Sequence, residues 1–255
     1  MGEAIVRGLL RSGHLVPTQI LAGDVRAEVA ARLASEHKIR TGTDNLAVAM
    51  ACEVALLCVK PHQIAAAIDN EAMRVALAGK LVISIAAGIR LEKLAGFLPK
   101  SAVIRAMPNT PALIGEGMAG LARGKGVSDE HMALALGLFS SVGKAIEVDE
   151  GHMDIVTALA GSGPAFVFVM IDALADGAVR MGLRRDAAVA MAAQMVQGAA
   201  RMVLETGTHP AVLKDRVTTP GGCTIAGLGV MEEGKIRSVL ARAIEEATRV
   251  AGKLG

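Results

Sequence analysis

The chain has 255 residues, 52% hydrophobic and 20% charged, which places it among folded proteins with room for one large domain or two smaller ones. Trp and Tyr are absent, Phe occurs four times and the net charge is +2, so the basic face and stacking aromatics of a nucleic-acid binder are missing. Three scattered cysteines, Cys52, Cys58 and Cys223, argue against a disulfide framework or a zinc site and fit a reducing, cytoplasmic setting.

The opening stretch Met1–Leu10 reads as a helix already under way, with Ile5, Leu9 and Leu10 on one face and no capping residue before it. Its charges at Glu3, Arg7 and Arg11 interrupt any signal-peptide core. A dinucleotide-binding βαβ unit places a strand and a G-x-G-x-x-G turn directly before such a helix. Here Gly2 can supply only the last of those glycines. The expectation is that about ten residues, the first strand and the first two glycines, are missing. Either an internal Met serves as the start or the chain is a fragment; the alternative is a natural short form with altered cofactor binding.

Strands and helices then alternate. Gln19–Gly23, Lys38–Thr41, Glu53–Val59, Lys80–Ala86, Ala102–Ala106, Met118–Leu121 and Ala145–Val148 read as strands. Asp24–His37, Asp44–Met50, His62–Leu77, Leu91–Leu98 and Asp129–Val142 read as helices. The apolar run of Glu53–Val59 suits a parallel strand buried on both faces, and the alternation implies an α/β, Rossmann-like doubly wound sheet.

Beyond Gly151 the strands stop. Met153–Ala160, Ala165–Met181, Arg185–Thr206, Ala211–Val217 and Ile236–Lys253 read as helices. The boundary is expected near Glu150, giving a dinucleotide-binding domain over 1–150 and a helical dimerisation and substrate domain over 151–255. Ile155–Ile171 carries no charge, but Gly161-Ser162-Gly163-Pro164 interrupts it, so it reads as two buried elements and not as a membrane span. Met181, Met191, Met195 and Met202 fall at helical spacing and read as core packing. A helical region this apolar implies burial against a second copy.

In a doubly wound sheet, ligands gather at the carboxyl ends of the strands. Those ends carry Gly23-Asp24, Val59-Lys60-Pro61-His62, Ala86-Ala87-Gly88 and Met107-Pro108-Asn109. Asp24 can accept hydrogen bonds from ribose hydroxyls and repel a 2′-phosphate, favouring NADH, whereas Arg26 can pair with that phosphate and favour NADPH. Asp24 also reads as a plain cap of the next helix. The histidines His62, His152 and His209 lack zinc-site spacing, and no metal is expected.

The chemistry concentrates in Leu213–Leu228, LKDRVTTPGGCTIAGL. Gly221 and Gly222 let bare backbone approach a ligand, and Thr224 stands at a helix start whose free N–H groups suit a carboxylate. Cys223 lies at the same helix start, where a thiol pKa would be lowered, and reads as a space-filler. The pattern LKDxVxxPGGxT, with the Val-Lys-Pro, Ala-Ala-Gly and Asn-Thr-Pro runs, resembles the Δ1-pyrroline-5-carboxylate reductase family over all but the missing beginning. The resemblance implies hydride transfer from NADPH, or NADH, to the C=N bond of pyrroline-5-carboxylate, giving L-proline. It implies that Asn45, Lys60, Pro61, Ala87 and Asn109 line the cofactor and the hydride path, with Lys60 and Thr224 as the catalytic residues, and Gly2, Asp24, Arg26, Val59, Ala86 and Gly88 are expected at the cofactor beside them. By the same resemblance Thr219, Gly221, Gly222, Cys223, Gly163 and Pro164 border the substrate, and Thr224 hydrogen-bonds the imine nitrogen. A small or polar residue is commoner in the family at position 24, so Asp24 is a departure that opens the phosphate preference. A homodimer, and rings of dimers, are implied as well. Alternatives are a related imine or β-hydroxyacid reductase and a catalytically silent dimerising subunit.

Overall fold

A computed structural model describes residues Met1–Leu254. The chain divides into two compact units, Met1–Ser162 with Glu246–Gly255, and Gly163–Glu245.

The first unit is a sheet covered by helices. Its strands are β1 (Leu21–Gly23), β2 (Arg40–Gly42), β3 (Val54–Leu57), β4 (Leu81–Ser84), β5 (Ala102–Met107), β6 (Gly117–Arg123) and β7 (Gly143–Glu147). Side chains alternate across them. Leu81, Ile83 and Ile104 join one core cluster with Ile5, Leu9, Leu121, Met132 and Phe139. Val82 and Val103 join the opposite cluster with Ile64, Ile68, Leu77, Leu94 and Met153. A sheet buried on both faces by apolar runs of period two is the doubly wound arrangement.

The covering helices are α1 (Gly2–Arg11), α2 (Ala27–His37), α3 (Asn45–Ala51), α4 (Ile64–Ile68), α5 (Glu71–Leu77), α6 (Leu91–Phe97), α7 (Asp129–Ser140) and the short α8 (Met153–Val156). The helix expected over His62–Leu77 is two. Asp69 and Asn70 end the first, and the Asn70 side chain caps the second by accepting the Met73 N–H at 2.9 Å. Asp24 does not cap α2, because Arg26 holds the cap position.

Hydrogen bonding splits the strands into a pair β1-β2 and a five-stranded sheet β3-β4-β5-β6-β7. All neighbours run parallel except β5 and β6, an antiparallel step that strand-by-strand reading does not reveal. No strand among the described residues pairs with the free edge of β1 or of β3.

The first unit runs past the last strand through Ser162 and takes back the end of the last helix, whereas the change of character in the sequence comes at Glu150. The run Gly161–Pro164 does not break the helix. Thr157–Ser162 forms a π-turn that passes directly into α9 (Gly163–Arg180). Pro164 has no N–H to give the Ala160 carbonyl four residues back. The Asn109 side-chain amide supplies that donor instead, at 3.0 Å.

The second unit is helical: α9, α10 (Arg185–Thr206), α11 (Pro210–Arg216), α12 (Cys223–Glu233) and the first part of α13 (Ile236–Ala251). Helices α9 and α10 pack on each other, with Ala175, Ala188 and Ala192 buried. The four methionines expected in its core are exposed, Met181 by 88%. The stretches Glu150–Arg180 and Arg185–Thr206 are long and apolar enough to cross a membrane by length and composition, and are little buried within this chain.

Candidate active site

In the first unit the expected cofactor residues stand at the start of α1 and at the strand ends. The first intrahelical bond of α1 runs from Ile5 N–H to Met1 O at 3.1 Å, so the N–H groups of Gly2, Glu3 and Ala4 are free of the helical ladder, as an anion site requires. A Cβ added at Gly2 would lie 3.0 Å from Cys58, which places the start of α1 beside the end of β3. Glu3 in that first turn would oppose an anion, but Arg32 neutralises it with contacts of 2.7 and 3.0 Å. These bonds hold the Glu3 carboxyl down to about 2. Glu3, Glu36 and His37 are grouped as closely as the ligands of a metal site, yet their cation is the Arg32 guanidinium, which also reaches Glu36 at 2.9 Å.

At the end of β1, Asp24 and Arg26 form a bidentate ion pair with both contacts at 3.1 Å. Hydrogen bonding from Arg26 lowers the Asp24 pKa and the same bond raises that of Arg26. The Asn45 side chain leans over Gly23, where a Cβ would meet its Oδ1 at 2.6 Å. A side chain at position 23 would have to displace the Asn45 amide, so glycine keeps the backbone bare at the strand end where a ribose binds in such sheets. Gly2, Gly23, Asp24 and Arg26 thus fit an adenine dinucleotide.

After β3, Val59 leads to exposed Lys60, whose backbone N–H donates to Gln63 Oε1 at 3.1 Å; Pro61 opens a turn of 3₁₀ helix. The Lys60 ammonium makes no ion pair among the described residues and is available to a ligand. After β4, Ala86 is buried and its N–H bonds Ser84 Oγ at 3.3 Å. Ala87 follows, and Gly88, at φ +79°, is packed against Leu254. Asn109 follows β5. It is 8% exposed, with Nδ2 on Ala160 O and Oδ1 accepting the Met118 N–H at 2.9 Å. One N–H of Nδ2 and one lone pair of Oδ1 are engaged inside the unit, which fixes the side chain and shapes the loop after β5.

Sequence reasoning missed Arg105. It is 4% exposed on β5 and lies 3.6 Å from both Glu150 and Asp154. Glu150 also accepts the Leu91 N–H at the start of α6. The signal was an arginine inside the apolar run Ala102–Met107, which must find acidic partners once buried.

In the second unit, α11 ends at Arg216 and the chain turns through Thr218–Gly222. Gly221 takes φ +67°, the left-handed region that glycine enters without strain. Gly222 is the N-cap of α12, so Thr224 is the second residue of the helix and does not cap it. No side chain caps this start, and the first helical bond is Ala226 N–H to Gly222 O at 3.4 Å. The N–H groups of Cys223, Thr224 and Ile225 therefore precede the ladder. Thr219 braces this turn, its carbonyl accepting the Gly222 N–H at 3.1 Å and its Oγ1 filling the space over Gly222. Gly163 and Pro164 are the first residues of α9.

A doubly wound unit with these strand ends, followed in the chain by helices that include a start with free N–H groups, is the build of a nicotinamide-dependent oxidoreductase. The sequence models of two families match: NADP oxidoreductase, coenzyme F420-dependent, over residues 1–88, and pyrroline-5-carboxylate reductase dimerisation over residues 150–254. A pyrroline-5-carboxylate reductase of Methanosarcina acetivorans is 42% identical over 100% of this chain and 94% of its own length. The solved pyrroline-5-carboxylate reductase of Coxiella burnetii superposes with a TM-score of 0.95 at 33% identity, covering 100% of this chain and 94% of that one. The Plasmodium falciparum pyrroline carboxylate reductase with NADP bound gives a TM-score of 0.87 at 27% identity, with coverage of 100% and 94%. The chain belongs to the pyrroline-5-carboxylate reductase family, an NAD(P)H-dependent reductase family with a dimerisation region.

Proposed function

We propose that this chain reduces Δ1-pyrroline-5-carboxylate to L-proline. The observation that carries the reading is the turn Thr219–Thr224, after which three backbone N–H groups at the start of α12, that of Thr224 among them, stand free of the helical ladder. An anionic cyclic imine presents a carboxylate and, beside it, a ring nitrogen. The carboxylate suits the N–H groups of Cys223, Thr224 and Ile225. The Thr224 hydroxyl hydrogen-bonds the nitrogen and positions the proton that must reside there when the C=N carbon is reduced. The bound dihydronicotinamide supplies the hydride from its C4 carbon. Gly2, Gly23, Asp24, Arg26 and Lys60 hold that cofactor, and Ala86, Ala87 and Gly88 shape the loop after β4. What the protein supplies is orientation: the reacting carbons need contact and alignment, and the chemistry needs no metal.

The second unit supports a homodimer. Phe168 and Val169 on α9 are 63% and 70% exposed in the single chain, within the region matched by the dimerisation family. Burial of this surface in a second copy, with further assembly into rings of dimers, accounts for two long apolar helices without a membrane. Free cysteines at positions 52, 58 and 223 support a reducing, cytoplasmic setting.

The alternatives are another imine or β-hydroxyacid reductase and a dimerising subunit without turnover. Initial-rate reduction of pyrroline-5-carboxylate against a panel of other imines and β-hydroxyacids separates these readings. Turnover confined to pyrroline-5-carboxylate supports the proposal. Faster turnover of another substrate, or none by a folded dimer, contradicts it.

A further inference from the structure

The end of β1 holds a pair of residues whose charges bear on which dinucleotide the chain takes. Arg26 closes on Asp24 from three directions: its backbone N–H meets Oδ1 at 3.0 Å, Nε meets Oδ1 at 3.1 Å and Nη2 meets Oδ2 at 3.1 Å. Asp24 is fixed in turn, because its own N–H donates to Gly42 O of β2 at 3.2 Å. The carboxylate and the guanidinium thus stand at the one strand end where an adenosine ribose is read.

The two cofactors make opposite demands there. A ribose with a free 2′-hydroxyl needs an acceptor, and a 2′-phosphate needs a cation. In this chain acceptor and cation are each other's partner. A carboxylate has about four acceptor sites, and Oδ2 receives one bond from Arg26, so ribose hydroxyls can bond Asp24 with the pair closed. A 2′-phosphate requires Arg26 to swing away from Asp24, whose charge then repels the incoming anion. The Arg26 side chain is 64% exposed and that of Asp24 25%, and an exposed pair opens at a cost of roughly fivefold or less in binding.

We infer that Asp24 and Arg26 act as a paired selector for the 2′-substituent of the cofactor: closed, the pair accepts the hydroxyl of NADH, and opened, it accepts the phosphate of NADPH. Asp24 is the brake on the phosphate and Arg26 its receptor, so the chain uses both dinucleotides, and removing either partner tips the choice in opposite directions. The inference rests on the reading of the first unit as a cofactor-binding unit.

Direct titration of the full chain with NADPH and with NADH, followed by cofactor fluorescence without substrate, tests it. Asp24→Asn keeps an acceptor for the Arg26 N–H and removes the charge. It should raise the NADPH-to-NADH affinity ratio about tenfold, the effect of one charge-assisted hydrogen bond. Arg26→Gln should lower the ratio by about the same factor. Thermal melting of both variants should match the parent, since both side chains lie at the surface. Ratios that stay within about twofold of the parent, or that move the same way in both variants, overturn the selector alone. A parent chain that binds neither dinucleotide overturns the selector together with the cofactor reading.

Discussion

The two units of this chain solve the problem of burial differently. The first encloses its own core: large side chains such as Phe139, Ile83, Ile104 and Leu77 are completely or almost completely buried on the two faces of the sheet. The second buries only Ala175, Ala188 and Ala192, and leaves Phe168, Val169, Met191, Met195 and Leu204 in the open. Hydrophobic surface of that extent marks an interaction surface. The sheet unit carries its own two-sided core, and the helical unit falls in the region matched by the dimerisation family, which implies an oligomer.

A charge on the exposed helical surface should break that comparison most severely. Phe168→Asp or Val169→Asp is expected to convert the dimer to monomer at micromolar concentration in sedimentation velocity, with loss of most activity. The same change on an exposed side chain of the sheet unit, such as Val25→Asp, should leave the mass unchanged.

The next largest effect is expected at Thr224. Thr224→Ala should lower kcat/KM about a hundredfold, the usual contribution of a positioned proton donor, with the dimer intact. Thr224→Ser should recover most of the loss, because it restores the hydroxyl. A loss confined to KM would mean that the hydroxyl binds substrate equally in ground and transition states.

Two buried polar residues test the self-sufficiency of the sheet unit. Arg105→Ala removes the guanidinium from Glu150 and Asp154 and should cost about 3 kcal/mol in urea unfolding. Asn109→Leu leaves the Ala160 carbonyl and the Met118 N–H without partners, for about 2 kcal/mol. Asn109→Asp carries a further sign. Its carboxylate would face the Ala160 carbonyl, raising its folded pKa, so stability relative to the parent should recover as the pH falls below neutral and fade as it rises.

The smallest effect concerns Glu3. Its carboxyl is held down to about 2 from an ordinary 4.5, chiefly by Arg32. A depressed folded pKa contributes stability above the unfolded value, lost as the pH falls from 4.5 toward 2. Glu3→Gln should flatten that part of the melting-temperature profile; an unchanged profile would show that the pair contributes nothing.

Most of the sheet unit was legible in the sequence because its burial is internal. Leu81, Val82 and Ile83 put apolar side chains on both faces, as a strand of a sheet covered on two sides requires. The helical unit was legible in its elements and not in its burial. The period of Met191, Met195 and Met202 marks a face, and nothing in the period says whether this chain or another covers it. Gly161–Pro164 reads as a break because proline removes a donor. The donor that replaces it belongs to Asn109, far away in sequence, and no local rule finds such a partner. In the site, Gly221, Gly222 and Thr224 were legible because a turn, a close approach and a free helix start each demand particular residues. Arg105 was not, since its meaning depends on which acids the fold brings to it.

The most direct test of the account is the initial rate of pyrroline-5-carboxylate reduction by the purified chain and by Thr224→Ala, with NADPH and NADH in parallel. The account predicts turnover with both cofactors and a loss of about a hundredfold in the variant with each of them. Turnover that survives Thr224→Ala undiminished would remove the proposed site from the start of α12. A folded dimer that reduces nothing would contradict the reductase reading of this chain.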